Sequence, residues 1–192
     1  LYMGGFYLRI IAGIRKGLKL KAPDGMGTRP TTDRVKESLF NIIQRYLPTE
    51  SVLDLFAGSA ALGIEALSRR CEKCVFVEHN RGAYALAEQN ISAAGFEDRA
   101  RLVRGDSLEF IKGISGEKSG FDIIFLDPPY NKGFIYPVLD TISRNRLLRD
   151  GGIITVETEK DGEAAEHPDF EVVRRAAYGK TVITVLTRGE GK

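Results

Sequence analysis

Asp54, Glu78, Asp106 and Asp127 each stand where an apolar run of the sequence ends, in SVLD, KCVFVE, RARLVRGD and FDIIFLD. A carboxylate at the carboxyl end of a strand can accept hydrogen bonds from ligand hydroxyls and amino groups. Glu78 suits the paired hydroxyls of a ribose. Asp106, followed by Ser107, suits an adenine amino group, and Asp54 suits a primary ammonium. One such acid is ordinary turn chemistry, whereas acids at successive strand ends form a constellation. Asp127 opens the most unusual stretch, Asp127-Pro128-Pro129-Tyr130. Two prolines cannot extend a ladder, and they stiffen the loop that carries the acid. The exocyclic amine of a base is a poor nucleophile because its lone pair is delocalised into the ring. The Asp127 carboxylate and the Pro128 carbonyl, fixed on the two amine hydrogens, would draw that nitrogen toward tetrahedral geometry and release the pair. Tyr130 offers a ring on which the base can stack.

These groups work together only if one scaffold brings them to one edge. From residue 51 the pattern alternates: strands at 51–56, 73–78, 99–105, 121–126 and 151–158. Helical periodicity fills 61–70, 80–95, 107–114 and 134–148 between them. Repeated βα units imply a parallel, doubly wound sheet with right-handed crossovers, an α/β fold. Two late runs, 170–179 and 180–188, read as an antiparallel hairpin at one sheet edge. Before residue 51, the runs 6–13 and 18–23 read as a small β-hairpin, and residues 31–47 as a helix whose Val35, Leu39, Ile42, Ile43 and Tyr46 share a face. Residues 1–27 are taken as this hairpin extension with its Gly/Pro-rich linker, and 28–192 as the catalytic domain.

The first βα turn, DLFAGSAALG, is where such folds bind a nucleotide. Gly58 and Gly63 have the spacing of a P-loop, but Ile64 and Glu65 stand where it needs lysine and a hydroxyl. A dinucleotide fingerprint needs a glycine where Ala60 stands. S-adenosylmethionine, which has no phosphates and carries a sulfonium, fits the acids better. Phe56, Ala57 and Gly58 are assigned to its site with Asp54, Glu78, Asp106 and Ser107.

A hydrophobic fraction of 43% and a charged fraction of 28% are those of an ordinary globular protein. No apolar run is long enough to span a bilayer and no secretory leader is visible, so a cytoplasmic protein is expected, taken as a monomer. Cys71 and Cys74 form a C-x-x-C without a second ligand pair, so the pair is read as structural and no metal is expected. Residues 1–45 hold nine Lys/Arg against three Asp/Glu, while the remainder is slightly acidic. That asymmetry points to a polyanion met at one end, with Arg9, Arg15, Lys16, Lys19 and Arg34 as candidate RNA contacts.

RIIAG (9–13), TRPTTDRVKESLFN (28–41), VLDLFAGSAALGIEALSR (52–69), FVE (76–78), DPPY (127–130), GGII-VE (151–157) and YGKT (178–181) together resemble the RsmD family, the bacterial 16S rRNA guanine-N2 methyltransferases. The resemblance covers nearly the whole chain. It implies a class I, seven-stranded, Rossmann-like methyltransferase fold using S-adenosylmethionine, and methylation of guanine 966 of 16S rRNA within the small subunit or an assembly intermediate. It also implies that Arg29 to Thr31 lie near the methionine end of the cofactor. Ala60 departs from the family's usual glycine, and its methyl could crowd the cofactor or shift the loop. The same D-P-P-Y motif serves adenine-N6 methylation of DNA and glutamine methylation of proteins. A non-catalytic RNA-binding scaffold is a third reading.

Overall fold

A computed structural model describes residues 7–22, 33–116, 120–129 and 133–189. Seven strands form its central sheet: β3 (Ser51–Asp54), β4 (Lys73–Glu78), β5 (Ala100–Arg104), β6 (Phe121–Leu126), β7 (Leu148–Glu159), β8 (Phe170–Tyr178) and β9 (Thr181–Arg188). Their order is β5-β4-β3-β6-β7-β9-β8, parallel as far as β7, with β9 and β8 antiparallel at one edge. The order reverses direction between β3 and β6, and the crevice at such a point is where open α/β sheets bind ligands. The central strands β3 and β6 are near-continuous apolar runs because both sheet faces are covered there. Helices α1 (Asp33–Ile42), α2 (Ala61–Ser68) and α3 (Arg81–Ala94) share one core cluster with one face, and α4 (Ser107–Lys112) and α5 (Ile135–Arg144) share a second with the other.

Local chemistry sets these elements. Asn80 Oδ1 accepts from the Gly82 and Ala83 N–H groups and starts α3, and Gly95, at φ 65°, ends it. The expected β4 is found as Lys73–Glu78. The fifth parallel strand begins earlier than expected, at Leu148, because Gly151 takes a positive φ inside the strand instead of opening it. Helix α1 ends at Ile42, and residues Gln44–Tyr46 continue as a 3-10 turn. Among the described residues no helix is long and apolar enough to cross a membrane. Cys71 and Cys74 are buried free thiols, and burial pushes both pKa values up, which leaves them protonated and inert.

The N-terminal hairpin, β1 (Tyr7–Arg9) and β2 (Lys19–Lys21), is anchored to this body. Leu8, Ile10 and Leu20 join the core cluster under α1 to α3. The turn between its strands lies against the end of α2, where Ile14 N–H donates to the Ser68 carbonyl at 2.8 Å. Gly13, at φ 85°, is required there: a Cβ would fall 1.9 Å from the Ser68 carbonyl oxygen. Glu65, fully buried on α2, accepts from Ile11 N–H at 2.7 Å and Ala12 N–H at 3.0 Å. Its carboxylate also meets Arg69 Nε at 2.9 Å and Lys36 Nζ at 3.5 Å.

Candidate active site

The parallel register places the four sequence-predicted acids along one edge. Asp54 pairs with Phe76 on one side and Phe125 on the other, so Glu78 and Asp127 each lie two residues beyond its level. Glu78 pairs with Arg104, and Asp106 lies two residues further on. Two residues along a strand are about 6.6 Å. Asp54 is therefore the deep member, 2% exposed, while Glu78 is at the rim, Asp127 is half-buried and Asp106 is exposed.

Depth changes what Asp54 does. Its Oδ2 accepts from Gly63 N–H at 3.0 Å, in the first turn of α2. The carboxylate thus serves the amino end of α2 from another element, fixing the loop above it. Burial pushes its pKa up to about 7, with Glu78 adding repulsion. Below about pH 4 the group is protonated in the folded and unfolded chain alike. Between about 4 and 7 only the unfolded chain ionises, so the fold loses stability as pH rises, and above 7 the loss is complete. Asp54→Asn keeps an acceptor for Gly63 without the titration. Its melting temperature relative to wild type should climb between pH 4 and 7 and level off above, and a flat difference would contradict the assignment.

Glu78 holds the rim. Its Oε2 accepts from Gly58 N–H at 2.9 Å and its Oε1 from Asn80 N–H at 2.7 Å. Each carboxylate oxygen can accept a second bond, so capacity for two ligand hydroxyls remains. Gly58 sits at φ 53°, and a Cβ there would meet no atom nearer than the Phe56 carbonyl at 4.0 Å, so the bare backbone faces open space. Asp106 Oδ1 caps α4 through Glu109 N–H, and Ser107 Oγ donates to the Leu55 carbonyl. These features fit S-adenosylmethionine: an exposed glycine, a rim carboxylate with spare acceptors and an accessible acid one strand further. Glu78→Ala should weaken its binding at least tenfold, because ligand bonds and the tether on Gly58 are lost together. Unchanged calorimetric affinity would remove Glu78 from the site.

Ala60 lies in the left-handed region, φ 65° and ψ 17°, with its methyl fully buried in the core under α1 to α3. The methyl is packed inside the protein. Ala57 is buried beside it, and the half-buried Phe56 packs on Phe134 with ring centroids 6.1 Å apart. That contact joins the first loop to the segment after the proline pair. Pro128 is buried and Pro129 exposed. The cavity beside them, bounded by Phe134, Ile135 and Glu157, measures about 10 Å³. Tyr130, Arg29 and Thr31 lie outside the described residues.

Two buried residues were missed by the sequence reading. Asn90 of α3 donates from Nδ2 to the Ser59 carbonyl at 2.9 Å and to the Lys21 carbonyl at 3.0 Å, and its Oδ1 accepts from Lys21 N–H at 2.8 Å. It ties the hairpin to the glycine loop in one step. An asparagine inside the Ala87, Ile91, Ala94 stripe was the available signal. Glu65 is the second, an acid in an otherwise apolar helix. The expected RNA contacts Arg9, Arg15, Lys16, Lys19 and Arg34 are all exposed. Arg15 also ties the hairpin to α3: its Nε donates to the Ala94 carbonyl at 2.7 Å, and its guanidinium lies 5.8 Å from the Phe96 ring centroid.

Residues 8–187 match the family model described as Conserved hypothetical protein 95. The ribosomal RNA small subunit methyltransferase D of Haemophilus influenzae is 38% identical over 173 residues, covering 90% of this chain and 89% of that one. The protein of the same name from Escherichia coli K12 is 36% identical over 190 residues, covering 97% and 93%. Among solved structures, the yhhF protein of E. coli, described as a candidate methyltransferase, superposes with a TM-score of 0.84 at 31% identity, covering 95% of this chain and 98% of that one. With the match running from the hairpin to the last strand, the chain belongs to the Conserved hypothetical protein 95 family, the family of these small-subunit methyltransferases D.

Proposed function

We propose that the protein transfers a methyl group from S-adenosylmethionine to the exocyclic N2 of one guanine in 16S rRNA, within the small ribosomal subunit or an assembly intermediate, as a cytoplasmic monomer. The observation that carries this reading is the register that sets Glu78 and Asp127 level on either side of Asp54. It brings to one crevice the two acids that this reading assigns to the ribose and to the target amine. The named relatives, similar over nearly the whole chain, support the rRNA substrate.

Gly58, Glu78, Asp106 and the buried Ser107 would hold the cofactor, with Phe56, Ala57 and Asp54 shaping the loop. Arg29 and Thr31 would meet its methionine end. When bound, it supplies a methyl group made electrophilic by the sulfonium. Asp127 and the Pro128 carbonyl would accept from the two amine N–H groups and bring the nitrogen lone pair to bear. Tyr130 would stack on the guanine. Arg9, Arg15, Lys16, Lys19 and Arg34 would lie along the phosphates, with Arg15 also tied to α3 through its Nε.

The test is a choice of acceptors offered with labelled cofactor: small subunits from cells lacking the enzyme, double-stranded DNA, and a protein mixture. Label is expected in the rRNA of the subunits. Label confined to DNA or protein would overturn the reading.

A further inference from the structure

Outside the acid-lined edge, a groove of about 490 Å³ opens between α1 and the β8–β9 hairpin. Asn41, Arg45 and Tyr46 line one wall; Val173, Arg174 and Tyr178 line the other. Among the described residues, no acidic side chain lines it. Ser38, Asn41 and Arg45 recur at helical spacing along α1 and its continuing turn and face the hairpin, with Glu37 beside the stripe. Arg45 lies 4.8 Å from the Tyr46 ring centroid and donates to the Tyr46 hydroxyl at 2.6 Å, which presents its guanidinium as a fixed plane. Neighbouring Arg175 is paired with Glu166 at 3.2 Å, whereas Arg174 forms no ion pair among the described residues. The sequence reading treated these late arginines only as part of an edge hairpin.

The groove lies on the same side of the sheet as the reacting edge. Val185 and Phe125 belong to the core cluster that also holds Phe40 of α1. Arg174 pairs with Val185, which pairs with Thr155, which pairs with Phe125, two residues before Asp127. Tyr178 pairs with Thr181, opposite Glu159, so it stands at the carboxyl edge beyond that level. From β6 across β7 and β9 to β8 is about 14 Å. A short length of nucleic acid strand bridges that gap.

We propose that this groove holds the single-stranded RNA segment next to the target base, with Arg174 and Arg45 on its backbone and Tyr178 against one of its bases. The chemistry is that of strand-tracking sites, in which cations alternate with aromatic rings. The proposal rests on the rRNA reading above and adds a second contact surface to the hairpin on the opposite side of α1.

The experiment compares wild type with Arg174→Glu, Arg174→Lys and Tyr178→Ala. Binding to protein-free small-subunit rRNA and to assembled subunits is measured from 50 to 200 mM salt. Arg174→Glu should bind both RNAs about tenfold more weakly, with a log–log salt slope flatter by about 0.7, while Arg174→Lys stays near wild type. Cofactor affinity should be unchanged in all. The Arg174 side chain is exposed, so its reversal should leave the melting temperature alone; Tyr178→Ala, which removes core contact, is read only against its own melt. Wild-type affinity and slope in Arg174→Glu would overturn the groove while leaving the function intact. Weakened binding to assembled subunits alone would make the occupant a ribosomal protein. A dimer of the wild type in sedimentation, dissolved by Arg174→Glu, would make it a second copy of this chain. Failure of the wild type to bind or methylate rRNA would instead sink the functional reading itself.

Discussion

Asp127→Ala is expected to slow single-turnover methyl transfer by about a hundredfold or more while leaving S-adenosylmethionine affinity nearly intact. The separation follows from where the bonds are. The cofactor loop is fixed from below by Asp54 on Gly63 and from the side by Glu78 on Gly58, neither of which involves β6's closing loop. Asp127 follows β6, level with Glu78 but across β3 from it. Its acceptor role toward the amine is needed most as the nitrogen rehybridises, so removal acts on the transition state more than on binding. The proline pair makes the loss hard to relieve, because no neighbouring backbone can swing in as substitute. Near-normal single-turnover rates in Asp127→Ala would end the amine-activation argument.

Glu65→Ala should be the most destabilising single change in the hairpin's anchorage. The carboxylate serves two backbone N–H groups of residues 11 and 12, Arg69 Nε and the Lys36 ammonium. Lys36 is itself 1% exposed and also donates to the Arg9 carbonyl. Burial already pushes the Lys36 pKa down, against the pull of Glu65. Without Glu65 that cation is buried with its counter-charge gone, a loss of about 3–5 kcal/mol. For a chain of this size the melting temperature should fall by about 6–20 °C. Amide exchange should accelerate first at Ile11 and Ala12, whose acceptors disappear. A melting temperature within about 2 °C of wild type would show that the network contributes little.

The strands and the row of acids could be read from the sequence because each is a local pattern. KCVFVE is a buried strand with a polar end, and Gly95 ends a periodic helix, whatever surrounds them. Asp54 was identified correctly as a strand-end acid, but its depth depends on register with β4 and β6, which no local window contains. The same limit explains Lys36 and Arg15. Both counted toward a basic arm; Lys36 faces a glutamate on α2, and Arg15 a carbonyl at the end of α3. Periodicity placed Val35 and Leu39 inward but not Lys36 and Phe40, because α1 is covered on a second side by the hairpin and α2. Gly151 and Gly152 suggested a strand start, yet β7 runs through them from Leu148.

The central claim is that this edge methylates the amine of a guanine in small-subunit RNA. It is tested most directly by identifying the product nucleoside. Small subunits from cells lacking the enzyme are incubated with the protein and isotopically labelled S-adenosylmethionine, and the purified rRNA is digested to nucleosides and analysed by mass spectrometry. The account predicts labelled N2-methylguanosine approaching one per subunit, lost with Asp127→Ala. Label in N6-methyladenosine, in a ring-carbon or ribose product, or in no rRNA nucleoside would contradict it.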